Sequence, residues 1–208
     1  MILQSTRLIV FRKTPFQESS LIIAGLSPEF GRLDFMAKGA RRVGAKQFPV
    51  VDIFRELQVE FKNRASGLHS ISKAELIASC DAVASYPENY FASCRLGSFL
   101  LKNSHPMLPC PKSYAATRNA LLHYAQGDSI LPWDSLARLV FLWENGLLPD
   151  QQENIEEREA GLSKKRFVSA LLSAACGEAS LPDGIRRSYW PKFTAWVDEL
   201  CRTHELQP

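Results

Sequence analysis

Lys38, Arg41, Arg42 and Lys46 fall within nine residues that contain no Asp or Glu. Four cations with no local carboxylate to cancel them suit one chemistry above others, the neutralisation of closely spaced phosphates. Gly39 and Gly44 lie among them and let the backbone approach a phosphate closely. Phe48, beside Pro49 at the end of the same segment, is the first candidate for stacking on a base, and Phe16 is the second. Arg12, Arg32 and Arg64 form a second tier of phosphate contacts if the strand ends that carry them converge. Phe11, Phe35, Phe54 and Phe61 stand at strand spacing and are expected in a core.

Catalytic patterns are missing from the sequence. His69, His105, His123 and His204 have no partner at HExxH or HxE spacing, no glycine-rich loop ends in Gly-Lys-Ser/Thr, and no paired acidic motif marks a two-metal nuclease. The five cysteines, Cys80, Cys94, Cys110, Cys176 and Cys201, include no CxxC pair, so they read as reduced thiols with no cofactor to hold. The expected activity is binding without catalysis.

The elements that would position the cations follow from periodicity. In Arg32 to Lys38, Leu33, Phe35 and Ala37 alternate with Arg32, Asp34 and Lys38, the pattern of a half-buried strand. Thr6 to Arg12, Ser19 to Leu26, Ile53 to Lys62 and Leu68 to Lys73 read the same way, which predicts five strands in about eighty residues. Ser27-Pro28-Glu29-Phe30-Gly31 suits a hairpin turn, and Gly39 to Pro49 an exposed loop. Five short strands with this spacing fit a closed Greek-key barrel of the oligonucleotide-binding type, and other small barrels nearly as well.

After Ala74 the period becomes helical. Ala92, Leu96, Phe99 and Leu100 form one apolar stripe, and Leu136, Leu139, Val140 and Trp143 form another. Asp134 and Ser163 stand where N-caps are expected, the latter ahead of a helix from Lys164 to Ala175. A last helix near Tyr189 to Cys201 turns Phe193, Trp196, Val197 and Leu200 inward. The prediction is therefore an α+β chain, a barrel over residues 1–80 and an all-α domain over 81–208. The Pro-rich run 106–111 and the acidic stretch 150–159 read as connections between helices.

Bulk properties agree. The chain has 208 residues, 46% hydrophobic and 23% charged, as in an ordinary globular protein with a sizeable core. Its net charge of +3 is uneven: residues 1–80 carry +5 and residues 81–208 carry −2. That asymmetry directs an anionic partner to the first half. No run approaches the roughly 18 apolar residues of a spanning helix, and the first residues lack the features of a signal peptide, so the expected location is cytoplasmic.

Phe11-Arg12-Lys13-Thr14-Pro15-Phe16-Gln17-Glu18-Ser19-Ser20-Leu21-Ile22, then Pro28-Glu29-Phe30-Gly31-Arg32 and Ala37-Lys38-Gly39-Ala40-Arg41-Arg42, resemble in order and spacing the N-terminal region of the bacterial RecO family of DNA repair and recombination proteins. Gly67 to Leu76 is similar to that family's last barrel strand leading into its first helix. The resemblance implies an oligonucleotide-binding barrel followed by helices, and a mediator role in recombination. In that role the protein binds single- and double-stranded DNA, anneals complementary strands, and helps load the recombinase on DNA coated by single-strand-binding protein. Implied partners are RecR and the C-terminal tail of single-strand-binding protein. Lys112, Arg118, Lys164, Lys165 and Arg166 are candidate rims for that acidic tail.

Many family members carry a four-cysteine zinc site after a Gly-x-x-Pro-like stretch. Here Gly146-Leu147-Leu148-Pro149 matches the stretch, but residues 151–159 contain no cysteine, which argues against zinc. Two other readings stand beside the mediator: an adaptor whose barrel docks a protein rather than DNA, and a nuclease whose site is assembled from distant residues.

Overall fold

A computed structural model describes residues 3–41, 50–62, 68–149 and 164–208. Its first part is a closed five-stranded barrel in the order β1-β2-β3-β5-β4, made of β1 Leu3–Phe16, β2 Ser20–Ser27, β3 Gly31–Ala37, β4 Arg55–Lys62 and β5 His69–Ser79. Neighbouring strands are antiparallel except β3 and β5, which pair in parallel through Phe35–His69 and Met36–Ser70. This is the oligonucleotide-binding fold. β1 serves two neighbours, β4 through Leu3–Ile9 and β2 through Ile9–Phe16, with a bulge between Val10 and Arg12 that bends it around the barrel.

The alternation in β3 is the one its sequence predicts: Leu33, Phe35 and Ala37 are buried, while Arg32, Asp34 and Met36 are only half-buried. Leu8, Val10, Ile23, Leu57, Val59 and Phe61 complete the barrel core. Phe35 and Phe61 meet edge to face at 5.1 Å, in an arrangement that favours aromatic quadrupoles.

After a short 3-10 turn at Asp81–Ser85 the described residues form five helices, α1 Pro87–Asn103, α2 Pro111–Ala125, α3 Trp133–Glu144, α4 Lys164–Ala175 and α5 Tyr189–Thr203. Proline opens α1 and α2, where the absent N–H costs nothing. The helical core gathers Leu96, Leu100, Leu121, Tyr124, Leu136 and Val140, and reaches into the barrel through Ile9 and Leu26, which face outward from their strands. The loop between α1 and α2 is stitched to the β2–β3 turn: the Met107 amide donates to the Phe30 carbonyl (2.8 Å) and the Cys110 amide to the Pro28 carbonyl (3.0 Å). Gly31 makes this possible, since at φ 62° a Cβ there would lie 2.3 Å from the Leu108 carbonyl oxygen.

Four expectations need correction. β5 continues to Ser79, so the strand does not give way to a helix after Ala74. β1 runs four residues beyond Arg12. α2, to which no helix is assigned from the sequence, is a full 15-residue helix. Asp134 lies within the first turn of α3, where it pairs with Arg138 at 2.8 Å instead of capping. Ser163 and the acidic stretch 150–159 lie outside the described residues.

Candidate nucleic-acid interface

The outer face of β1, β2 and β3 has two zones. Toward the helices, Ile9, Phe11 and Leu26 are covered. Away from them the register sets Arg12 beside Ala24 and Asp34, Thr14 beside Ile22 and Met36, and Phe16 beside Ser20. Thr14 is exposed, and Phe16, Ile22 and Met36 are half-buried, so this end presents an apolar strip to solvent.

Cations bound the strip. Lys38 follows β3 directly and is exposed, with no ion pair among the described residues. Arg41 is held across the β1–β2 turn: its amide donates to the Ser19 carbonyl at 2.9 Å and its Nη1 to the Gln17 carbonyl at 3.2 Å. Both bonds use backbone carbonyls, which leaves the guanidinium charge uncancelled. At the strip's other end Arg12 approaches Asp34 at 3.5 Å with about half its side chain exposed (54%). Asp34 also receives Arg32 at 2.8 Å, so one carboxylate faces two guanidinium groups and a net positive charge remains. A half-buried apolar strip between cations is the arrangement that takes an unpaired strand, bases against the strip and phosphates on the rim.

Other expected contacts fare differently. Arg32 donates from Nη1 to the Leu101 carbonyl at 2.7 Å while gripping Asp34, which makes it a strut between β3 and α1. Lys13, next to Arg12 in the chain, is paired with Asp52 at 2.7 Å. Arg42, Lys46, Phe48 and Arg64 lie outside the described residues. Phe35, Phe54 and Phe61 are core, and Phe11 packs on Gly97 of α1.

Two of the tail-binding candidates are also engaged. Lys112 pairs with Glu178 at 2.7 Å, and Arg118 with the buried Glu56 at 2.7 Å. Each charge already faces a carboxylate of the chain itself, which an acidic peptide would have to displace. Lys164 opens α4, and Lys165 and Arg166 follow on its exposed side.

Ile22 and Met36 join the surface only once the strands are paired. The signal for them is present in the alternation of β3, whose outward positions include an apolar Met36 between Asp34 and Lys38. As for metal, the described residues bring together no group of three or more His, Cys, Asp and Glu. Burial pushes the Cys110 thiol up to about 12 and the Cys176 thiol to about 11, because desolvation penalises the thiolate.

Residues 1–80 match the family described as recombination protein O N terminal. DNA repair protein RecO of Aliivibrio fischeri (strain MJ11) is 26% identical over 126 residues, 61% of this chain and 52% of that protein. The protein of the same name from Polynucleobacter necessarius subsp. necessarius (strain STIR1) is 26% identical over 165 residues, 76% of this chain and 66% of its own length. That of Photobacterium profundum is 28% identical over 126 residues, 61% of this chain and 52% of its own length. The chain thus spans about half the length of the first curated relatives it matches (52%). The family match covers the whole barrel, and the likeness to these repair proteins runs on into the helices.

Proposed function

We propose that this chain is a recombination mediator of DNA repair that works by binding DNA and not by covalent chemistry. Single and double strands are held by their phosphates; complementary strands, relieved of mutual repulsion and concentrated on one molecule, then pair faster. The observation that carries this reading is the open end of the β1–β2–β3 face, where Phe16, Ile22 and Met36 lie between Arg12 on one side and Lys38 and Arg41 on the other. Arg42, Lys46, Arg64 and Phe48 belong to the same proposed surface by their place in the chain.

The reading includes RecR and the acidic tail of single-strand-binding protein as partners, with recombinase loading as the outcome, and no metal or other cofactor. Of the candidate tail contacts, Lys164, Lys165 and Arg166 remain in the proposal. Among the described residues no helix is long and apolar enough to cross a membrane, and the reading places the work in the cytoplasm with the DNA.

Fluorescence anisotropy of a labelled oligothymidylate across a salt series tests it. Each single-strand phosphate contact contributes about 0.7 to the slope of log affinity against log salt. Lys38→Ala with Arg41→Ala is expected to reduce that slope by about 1.4 and to weaken binding at low salt. Unchanged slope and affinity overturn the assignment. A chain that leaves the oligonucleotide unbound at low salt yet retains its protein partner is the adaptor.

A further inference from the structure

Among the described residues, many cations are engaged by the protein itself. Arg12, Lys13, Arg32, Arg55, Lys73, Lys112, Arg118, Arg138 and Arg202 all face carboxylates. Lys165, Arg186, Arg187 and Lys192 differ: all four are exposed and none has an ion pair among the described residues. They cluster late in the chain, at the start of α4, in the connection before α5, and in the first turn of α5.

Arg186 and Lys192 line a cleft of about 460 Å³ together with the apolar and aromatic side chains of Phe167, Ile185 and Tyr189. Tyr189 is fixed from three sides, edge to face on Phe167 (5.8 Å) and Trp190 (5.4 Å) and stacked on Phe193 (5.8 Å). A ring held this firmly loses little freedom when a flat partner lands on it. Among the described lining residues Asp183 is the one acidic side chain, set against two cations.

α4 and α5 pack on α3, whereas the barrel is covered by α1 and α2. A strand in the cleft would not compete with one on the β1–β2–β3 face, because a layer of helices separates them.

We infer that the cleft between α4 and α5 is a second single-stranded nucleic-acid site, with phosphates on Arg186 and Lys192 and a base against Tyr189. The inference rests on the reading of the chain as a DNA-binding mediator and supplies what annealing requires, a separate place for the second strand. Lys165 and Arg187 are exposed sequence neighbours of the lining, Arg187 directly after Arg186 and Lys165 two residues before Phe167, without belonging to it. A polyanion that passes through uses charge on both sides of the inserted base, whereas an acidic peptide ending in the cleft uses one side only.

The test uses the full chain and an oligothymidylate carrying 5-iodouracil. Photocrosslinking followed by peptide mapping is expected to mark Tyr189 or Phe167 in addition to the barrel, and titration at low salt to reach two oligonucleotides per chain. Arg186→Ala with Lys192→Ala, both on exposed side chains, is expected to remove the helical crosslink, weaken the second binding event about tenfold and slow annealing, while the barrel crosslink persists. Lys38→Ala with Arg41→Ala is expected to do the reverse.

One oligonucleotide per chain, crosslinked only to the barrel, overturns the second site and leaves the mediator reading intact; no crosslink anywhere overturns both. If an acidic peptide ending in phenylalanine binds the wild type but not the Arg186/Lys192 variant, and the second oligonucleotide is unaffected by that variant, the cleft is a peptide site and the inference falls.

Discussion

Glu56 of β4 accepts a hydrogen bond from Nε of Arg118 on α2 at 2.7 Å, though the two residues are 62 positions apart. The Tyr114 hydroxyl donates to the same carboxylate at 2.9 Å. Glu56 is almost fully buried (5% exposed), so α2 satisfies a barrel charge that water does not reach. The glutamate lowers the proton affinity of neither partner: its hydrogen bond holds the Arg118 guanidinium above its ordinary range, and burial, reinforced by the Glu56 charge, raises Tyr114.

Truncating Arg118 leaves that carboxylate with the tyrosine alone. Hydrogen bonds to charged groups contribute about 1.5–3 kcal/mol, and because Arg118 is itself 44% exposed the lower end applies. Arg118→Ala is expected to lower the urea midpoint accordingly, and Tyr114→Phe by about 1 kcal/mol. A double-mutant cycle between Arg118→Ala and Glu56→Gln should show coupling; additive effects would mean that the barrel and α2 are not latched here.

Arg32 and Lys38 lie six residues apart on outward positions of β3 and its extension, yet their substitutions should separate cleanly. Arg32→Gln loses the Asp34 pair and the bond to the Leu101 carbonyl, with an expected cost of about 1–2 kcal/mol in stability and no change in the salt slope of DNA binding. Lys38→Ala should leave the unfolding midpoint alone and lower the slope. Chemical denaturation and salt titration on the same two variants check both halves of the contrast.

That contrast also shows where reading the sequence succeeds. Leu33, Phe35 and Ala37 announce β3 because alternation is a local property, and Leu136, Leu139 and Val140 announce α3 for the same reason. The cation cluster at Lys38 and Arg41 is equally local. What Arg32 does is not, since the Leu101 carbonyl that fixes it comes from α1, 69 residues away, and its residue type is the same as that of a phosphate contact. α2 is hard to read because Ala115, Ala116 and Ala120 supply small residues where a stripe of large ones would be sought, and the helix is buried on several sides. Glu56 looks like any surface glutamate in a strand until α2 lies over it.

Gly97 on α1 packs directly on Phe11 of β1. A Cβ at 97 would lie 2.6 Å from the ring and 3.1 Å from the Phe11 Cβ, too near the root of that side chain for a tip movement to relieve it. Alanine within a helix ordinarily gains about 1 kcal/mol over glycine. Overpacking costs about 1–3 kcal/mol, so Gly97→Ala is expected to be neutral to destabilising and not stabilising. Adding Phe11→Ala should restore the helix gain, and a calorimetric comparison of the single and double variants reads the sign.

Asp81, in the turn after β5, is held below the ordinary carboxylate range by its hydrogen bonds from Arg55, the nearest at 2.6 Å. A carboxylate with a lowered folded pKa adds stability above its unfolded value, near 3.8, and that contribution disappears as pH falls through the folded value. Asp81→Asn should therefore flatten the acid limb of a stability profile below about pH 4 and lower stability slightly at neutral pH. A limb of unchanged steepness would mean that the exposed pair contributes nothing.

Glu144, at the C-terminal end of α3, reaches the start of α2, where its two oxygens accept the amides of Lys112 and Ser113 at 2.8 Å each. Cys110, the residue at the N-cap position, makes no side-chain bond to the helix, so a carboxylate from another helix does the capping and also meets the positive end of the α2 dipole. Glu144→Ala is expected to cost about 1–2 kcal/mol, and Glu144→Gln less, because one oxygen still accepts. Since α2 also carries Tyr114 and Arg118, loosening its first turn should speed amide hydrogen exchange at residues 112–118 and in β4 around Glu56 together. Faster exchange in α2 with β4 unmoved would show that the helix frays without releasing the barrel.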